Sequence, residues 1–557
     1  MKKLMMTGLS LLAFGLCAAE IRVEGPATQL STPPPEIVTD AMGDAMVFTA
    51  GASDATAARL EQAFDFSNGG RIEVEFMEDA TQANPFPRIV DSPDISLHLE
   101  CNPRSAGSDK VFKALLTDAD RKRNSQIKAT CRYREGAWHK AVFELDPAGG
   151  VYSLSLDGGE VQYSPLTVKP KLGEVRFVLG ATSLKGSTRG FNGRIRNLRI
   201  TTPWRIDNPS AQSALVQVSP GVRHVTICAM KGRHLAFPGA AVLPGGLLGV
   251  VFREGEGHVC PYGRICIAYS RDGGRNWSAP VAVADSASDE RDPSIQTLAD
   301  GRVLLTHGGW NSWMAYDSTA TRYPGETAYV KQTGEDEFGG SQYLFSRDGG
   351  HTFEAPVKVP AFAPHGPAVA KDGSFYQPSL ENEHGRRQVC LYRGTPDARK
   401  WTRIATIAEK APDVGNYEEP HTVILDDGTM VTAIRVPPPG DGYMRISRST
   451  DGGVTWSQPV RTPVRGFPQH LLQLKDGRLL ATYGYRYAPQ GIRACISRDG
   501  GLTWDIDKEI IIRNDGGTED LGYPVAVEMP SGEVFCVYYM NDARHDDCFI
   551  EGAFFKP

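Results

Sequence analysis

The chain has no strong charge of either sign, no second long apolar run and no metal-ligand spacing, and each absence removes a class of function. Its 557 residues carry 60 Lys plus Arg against 66 Asp plus Glu, a formal net charge of −6. Nucleic-acid binders normally show a basic excess, so no nucleic-acid partner is expected. After residue 16 no segment is long and apolar enough to span a bilayer. The ten cysteines and the scattered histidines and acids match no recognised zinc spacing, so neither a metal nor a cofactor is expected. An intact disulfide set is also excluded: removing Cys17 with the leader leaves nine cysteines, so at least one thiol is free or pairs between chains. Cys101 and Cys131 lie on strand-like segments and could pair, while Cys266, Cys495 and Cys536 sit in apolar strands and read as buried thiols.

What is present first is a leader. Met1-Lys-Lys precedes an apolar run from Leu4 to Leu16 and then Cys17-Ala-Ala-Glu20, the order of a secretory signal over residues 1–19. The protein is therefore expected to be exported, whether periplasmic, cell-surface or secreted. Bulky Leu16 directly before Cys17 fits lipoprotein processing poorly, so no lipid anchor is expected.

Length exceeds what one hydrophobic core supports, which argues two domains. Residues 20 to about 60, with Pro33-Pro-Pro35, lead into the first. Short alternating runs follow, such as Arg71-Ile-Glu-Val-Glu-Phe76, Lys140-Ala-Val-Phe-Glu-Leu145 and Tyr152-Ser-Leu-Ser-Leu156. Period-two alternation between turn residues argues half-buried strands, and their number argues a sandwich. The details Trp138-His-Lys-Ala-Val-Phe143, Leu156-Asp-Gly-Gly159 and Phe191-Asn-Gly-Arg-Ile195 resemble laminin-G or concanavalin-like jelly-roll domains, a resemblance that covers roughly residues 60–202 of a first domain at 20–202. That resemblance implies either carbohydrate binding or a structural spacer. Residues 203–216 mix prolines with polar residues and read as a linker to a second domain at 217–557.

The second domain carries four copies of one turn: Ser270-Arg-Asp272-Gly-Gly274-Arg-Asn-Trp277, Ser346-Arg-Asp348-Gly-Gly350-His-Thr-Phe353, Ser449-Thr-Asp451-Gly-Gly453-Val-Thr-Trp456 and Ser497-Arg-Asp499-Gly-Gly501-Leu-Thr-Trp504. In such a turn Asp caps its own backbone, the glycines take positive φ and the aromatic plugs a core. Each copy follows an apolar strand pair joined at Asp-Gly, as in Leu298-Ala-Asp-Gly-Arg-Val-Leu-Leu305, so each repeat is a four-stranded unit. The turn aspartates are 76, 103 and 48 residues apart. The widest gap holds a degenerate unit from Ser374 to Trp401, and a last unit runs from about Asn514 to the end. Six blades result, giving an all-β chain with a jelly-roll sandwich followed by a six-bladed propeller, whose inner-strand ends surround a central pocket.

The repeated turn is similar to the aspartate box of sialidases, and its aspartates are read as structural. The resemblance implies site residues by their spacing from each inner hairpin. Glu419 lies eight residues before Asp427, Arg435 seven after Gly428, and Tyr523 eight before Ser531. Sialidases carry a glutamate, a carboxylate-binding arginine and a nucleophilic tyrosine at those points. A sialoside bears a carboxylate on its anomeric carbon, so a neutral tyrosine activated by a glutamate avoids the repulsion an anionic nucleophile would meet. Arginine supplies bidentate carboxylate recognition.

Two departures stand beside these matches. Ala236 in Leu235-Ala-Phe-Pro238 occupies the point where sialidases place another arginine, leaving Arg253, Arg291 and Arg493 as substrate-binding candidates, with Arg486 as the alternative to Arg493. The segment from Val251 to Tyr269 contains no Asp where the general acid is expected. His258 and Asp292 are the leading acid candidates, ahead of Glu254, which would instead pair with an arginine. His421 is a pocket-lining candidate. The implied activity is retaining release of terminal sialic acid from glycoconjugates, with sialylated or other acidic glycans as partners. Hydrolysis of another acidic or deoxy sugar, and glycan binding without catalysis, are the alternatives.

Overall fold

The computed structural model describes residues 57–557 apart from 61, 80–85, 102–109, 122, 130–132, 184–188, 207–217, 316–321, 334–338, 384–385, 409–410, 439, 488, 543–544 and 546, together with 19–22, 28–29, 36–40 and 43–48. The leader up to Ala18, Pro33-Pro-Pro35, Cys131 and all of the expected linker beyond Ile206 lie outside the described residues, as does the side chain of Cys101. The chain divides into two compact units. One comprises residues 1–99, 129–161 and 170–208, and the other 100–128, 162–169 and 209–557.

Two antiparallel sheets, of eight and seven strands, are built between residues 19 and 202. Their alternation is the one visible in the sequence: along Gly70–Glu78 every second residue is buried, with Ile72, Val74 and Phe76 fully enclosed. That strand lies between His139–Asp146 and Gly193–Thr202 in the larger sheet.

The second unit contains six four-stranded antiparallel sheets, numbered here 1 to 6 along the chain. Their first strands are His234–Val242, Asp289–Thr297, Ala368–Val369, Glu418–Ile424, Gln469–Gln473 and Gly522–Glu528. Sheets 1 to 5 use four consecutive strands. Sheet 6 takes its fourth strand, Arg223–Cys228, from the start of the unit, where it pairs with Phe549–Phe555. That long-range pairing has no local signal and was not expected from the sequence. Between the second and third strands of sheet 2 runs Pro324–Thr333, the one α-helix among the described residues.

All four aspartate-box turns close on their serine and aspartate in the same way, as the first copy illustrates. Ser270 Oγ donates to Asp272 Oδ1 at 2.8 Å and accepts the Gly274 N–H at 2.8 Å, Asp272 accepts the Asn276 N–H at 2.9 Å, and Trp277 Nε1 donates to the Gly274 carbonyl at 3.1 Å. Both glycines have φ near 70–90° (71° and 89°), which a side chain would strain. Sheet 3 carries a disguised copy: Thr395 Oγ1 donates to Asp397 Oδ1 at 2.5 Å, and Trp401 Nε1 reaches the Ala398 carbonyl at 2.7 Å. The serine is the buried hinge of the turn. Ser497→Ala leaves the enclosed Gly501 N–H without its 2.8 Å acceptor, and is expected to destabilise the protein by about 1–3 kcal/mol. Chemical unfolding followed by tryptophan fluorescence measures this, and an unshifted midpoint would show that water replaces the hydroxyl at no cost.

The cysteine side chains described in this unit, Cys228, Cys260, Cys266, Cys390, Cys495, Cys536 and Cys548, are all buried. Burial pushes the Cys495 thiol up to about 12, in keeping with packed rather than reactive groups.

Candidate active site

The first strands of sheets 1, 2, 4 and 6 share one irregularity. Their pairing with the second strand skips two residues, between Ala236 and Gly239, Arg291 and Ser294, Glu418 and His421, and Gly522 and Val525. The skipped pairs are Phe237-Pro238, Asp292-Pro293, Glu419-Pro420 and Tyr523-Pro524. The residue before each proline has positive φ, at 55°, 52°, 39° and 48° respectively. Proline disfavours the α region for the residue before it, and a non-glycine residue held at positive φ costs about 1–3 kcal/mol. The bulge re-aims that side chain out of the alternation of the strand. His365, just before the first strand of sheet 3, also has positive φ (74°). The aspartate boxes lie at the other ends of the strands: Ser270 is opposite Leu248, which pairs with Val242, the last residue of the first strand.

Three of the re-aimed or neighbouring side chains meet. The Tyr523 hydroxyl donates to Glu419 Oε1 at 2.5 Å, Arg435 Nη1 donates to Glu419 Oε2 at 2.5 Å, and the same Nη1 lies 3.2 Å from the Tyr523 hydroxyl. Arg435 is placed by pairing, because it is the cross-strand partner of Glu418 next to the bulge. Burial, and then the charge of Glu419, push the Tyr523 phenol well above its ordinary range, so it is neutral. Burial opposes the charge of Arg435, but Glu419 and Tyr523 beside it outweigh that and raise its pKa.

Asp292 occupies the equivalent bulge in sheet 2. Its pKa is pushed up to about 7, first by burial and further by Glu419, against the pull of Arg291. Its Oδ1 is enclosed without a hydrogen-bond partner. A carboxyl in that setting is half protonated near neutrality and has an oxygen free to donate.

Of the arginines expected from the sequence, Arg291 faces this region: its guanidinium lies 4.6 Å from the Phe237 ring, and Nη1 donates to the His258 carbonyl at 2.6 Å and to Asp289 Oδ2 at 3.3 Å. Phe237 in turn packs 4.9 Å from the Tyr523 ring. Arg253 is not there. It is completely enclosed, paired with Asp289 at 2.7 Å and bonded to the Gly257 carbonyl and Cys260 Sγ, so it braces the loop after the second strand of sheet 1. Arg493 is also elsewhere, since it lies on the third strand of sheet 5, paired with Glu509 at 2.6 Å and stacked 3.4 Å over Tyr485. Arg486, at the end of the second strand, is the sheet 5 arginine that approaches Tyr523, 5.7 Å from its ring, with Nε on the Leu521 carbonyl and Nη2 3.3 Å from the Tyr539 hydroxyl.

His258 lies edge-on to Phe237 at 5.4 Å, with Nδ1 2.8 Å from Asp520 Oδ1. Glu254 is paired with Arg233 and Arg264, both at 2.9 Å. His421 is buried and held neutral, its pKa lowered to about 3 by burial, and its Nδ1 accepts the Leu471 N–H at 3.0 Å. It stacks on His470 at 4.6 Å, and both line a cavity of about 410 Å³ with His365. His421 therefore lines that cavity, two residues along the strand from Glu419.

Residues 327–536 match the family model described as BNR repeat-like domain. A sialidase of Clostridium perfringens is 24% identical over 252 residues, 43% of this chain and 52% of the relative, so the chain spans about half the length of the curated relative it matches. Among solved structures, a Dyadobacter fermentans protein of unknown function is 25% identical with a TM-score of 0.50, over 60% of this chain and 99% of that one. The NanB sialidase from Streptococcus pneumoniae is 13% identical with a TM-score of 0.43, over 89% and 97% of the two chains. The chain therefore carries a BNR repeat-like domain and is a distant sequence relative of a sialidase.

Proposed function

We propose that this protein is an exported glycoside hydrolase that removes terminal sialic acid from glycoconjugates with retention, using Tyr523 as nucleophile. The observation that carries the reading is the trio itself: a neutral phenol 2.5 Å from a carboxylate that is also bound by an arginine touching the phenol oxygen. Glu419 takes the phenol proton as the Tyr523 oxygen bonds the anomeric carbon, and Arg435 stabilises negative charge on that oxygen. The bond to the aglycone breaks, and its oxygen takes the proton of Asp292. In the second half Asp292 accepts a proton from water as that water bonds the anomeric carbon, and Tyr523 leaves, regaining its proton from Glu419.

The fold reading behind this is a six-bladed propeller preceded by a jelly-roll domain. The closed ring is supported by the 410 Å³ cavity, which is lined by residues at the first strands of all six sheets, among them Gly239, Ser294, His365, Thr422, Leu471 and Val525. In such a ring Asp292, Glu419 and Tyr523 stand on alternate blades, and Phe237, His365 and Phe467 on the blades between.

Arg291, Arg435 and Arg486 would share the substrate carboxylate. Arg486→Ala is expected to raise KM about 10- to 100-fold through loss of a charged hydrogen bond, whereas Arg493→Ala should leave KM within about twofold of wild type. Equal effects of the two changes would remove Arg486 from the site. The overall reading is tested by incubation with sialylated glycans and a panel of other acidic glycosides. Free sialic acid is the expected product. Ala236 favours one further reading, a related acidic sugar, which release of that sugar alone would establish. Binding of glycan with hydrolysis of no glycoside overturns the enzyme.

A further inference from the structure

Beside the trio lies a cluster that the proposed chemistry does not use. His234 opens the first strand of sheet 1, His258 comes from the loop after the second strand, and Asp520 precedes sheet 6 by two residues. His234 Nε2 lies 2.8 Å from Asp520 Oδ2 and His258 Nδ1 lies 2.8 Å from Asp520 Oδ1. The three donor atoms all fall within 4.8 Å of one another. The two rings stand nearly perpendicular, at 80° with centroids 5.5 Å apart, so each directs a nitrogen at the carboxylate without stacking.

The surroundings hold these groups in place. The Tyr539 hydroxyl donates to Asp520 Oδ1 at 2.9 Å, and Asn541 Nδ2 donates to the Asp520 carbonyl. The His258 loop is pinned by Arg253 at the Gly257 carbonyl and Cys260, and by Arg291 at the His258 carbonyl. Cys548 Sγ lies 3.8 Å from Asp520 Oδ2 and packs against the carboxylate. On the open side the His258 side chain is 46% exposed, which leaves a path for solvent.

We propose that His234, His258 and Asp520 bind one divalent transition-metal ion, with zinc the best match to the donor set. Two imidazoles and one carboxylate with an open position are the donors of a solvent-accessible zinc site rather than a closed structural one. Tetrahedral bonds of about 2.0 Å need donor separations of roughly 3.3 Å, so the present 2.8 Å contacts would open by about half an ångström as two N–H···O bonds give way to metal bonds. Tyr539 is then the outer group that orients the ligating carboxylate. The position suggests a use. Ala236 lies two residues from His234 on the same strand before the bulge, hence on the same face. The net positive charge left on a divalent ion bound by one carboxylate would face the substrate carboxylate from the strand on which Ala236 stands at the point expected for an arginine. This use rests on the glycosidase reading, but the ion site does not.

The test uses the full-length protein, stripped with chelator and titrated with Co²⁺ as a visible probe, with bound Zn²⁺ counted by elemental analysis. One ion per chain and a saturable d–d spectrum are expected. Asp520→Asn and His234→Ala should each weaken binding about 100-fold or more, and Tyr539→Phe, which keeps the ring packing, about 10- to 100-fold. No saturable spectrum in the wild-type protein, or one unchanged by His234→Ala and Tyr539→Phe, overturns the site. If the ion binds and KM for an acidic glycoside is the same with and without it, the carboxylate-recognition half fails while the site stands.

Discussion

Tyr523→Phe should lower kcat on a sialoside by on the order of 10³-fold or more while leaving KM within a few-fold of wild type. The change removes one oxygen and keeps the ring, so the packing of Tyr523 on Phe237 at 4.9 Å and against Tyr539 at 6.1 Å survives. What is lost is the atom that forms the covalent bond, together with the two contacts that converge on it from Glu419 and Arg435. An interaction made only on the way to the transition state shows in kcat rather than in KM. Steady-state kinetics on a sialyl aryl glycoside measures the loss, and NMR of the first-formed anomer from wild type should show retention. An active phenylalanine variant, or inversion in the wild-type protein, would remove Tyr523 from the covalent step and leave Glu419 with no proton to take.

The strain at the site is consistent with that role. Four non-glycine residues at positive φ in one unit, each before a proline, persist only because the surrounding sheets fix them. Their side chains are Phe237, Asp292, Glu419 and Tyr523, which include all three groups assigned to bond making and proton transfer. A relaxed strand would return each side chain to the alternation and point it into the packing between sheets instead.

Much of this was legible in the sequence because it depends on local chemistry. The alternation in Gly70–Glu78 and the Ser-x-Asp-Gly-Gly turns are written in neighbouring residues, and once the turns set the frame, the resemblance to sialidases carries over by position to Tyr523, Glu419 and Arg435. The recurring X-Pro at 237–238, 292–293, 419–420, 467–468 and 523–524 was equally local, and would have placed Asp292 with the other two had the repeats been aligned on their prolines. What was not legible depends on which way a side chain points and on distant partners. Arg253 and Arg493 both sit near the expected points, but the first is drawn inward by Asp289, 36 residues away, and the second outward by Glu509. Arg486 could not be preferred without knowing that Leu521 and Tyr539 stand beside it. His234 and Asp520 escaped notice altogether, since 286 residues separate two groups that touch.

Asp292→Asn should divide substrates by their leaving groups. If Asp292 protonates the departing oxygen, the variant should lose about 10²–10⁴-fold on a natural glycan and much less on an aryl glycoside whose phenolate leaves without a proton. Equal losses on both would make Asp292 a binding group and return the acid role to His258. The pH dependence follows from the same carboxyl. With a pKa near 7 in the folded protein, the donor is present below that pH and lost above it, so kcat/KM on the glycan should fall tenfold per unit on the alkaline side, and the variant should lack that limb. Stability moves with it. The unfolded carboxyl titrates near 3.9, so between about pH 4 and 7 the folded protein holds a proton the unfolded chain has released, and stability falls as pH rises through that window. Replacing Asp292 by an amide that cannot ionise removes this loss. The amide variant is therefore expected to melt higher than wild type at pH 8, with the gap shrinking towards pH 4, because the burial that makes Asp292 an acid is also what the folded state gives up stability to keep.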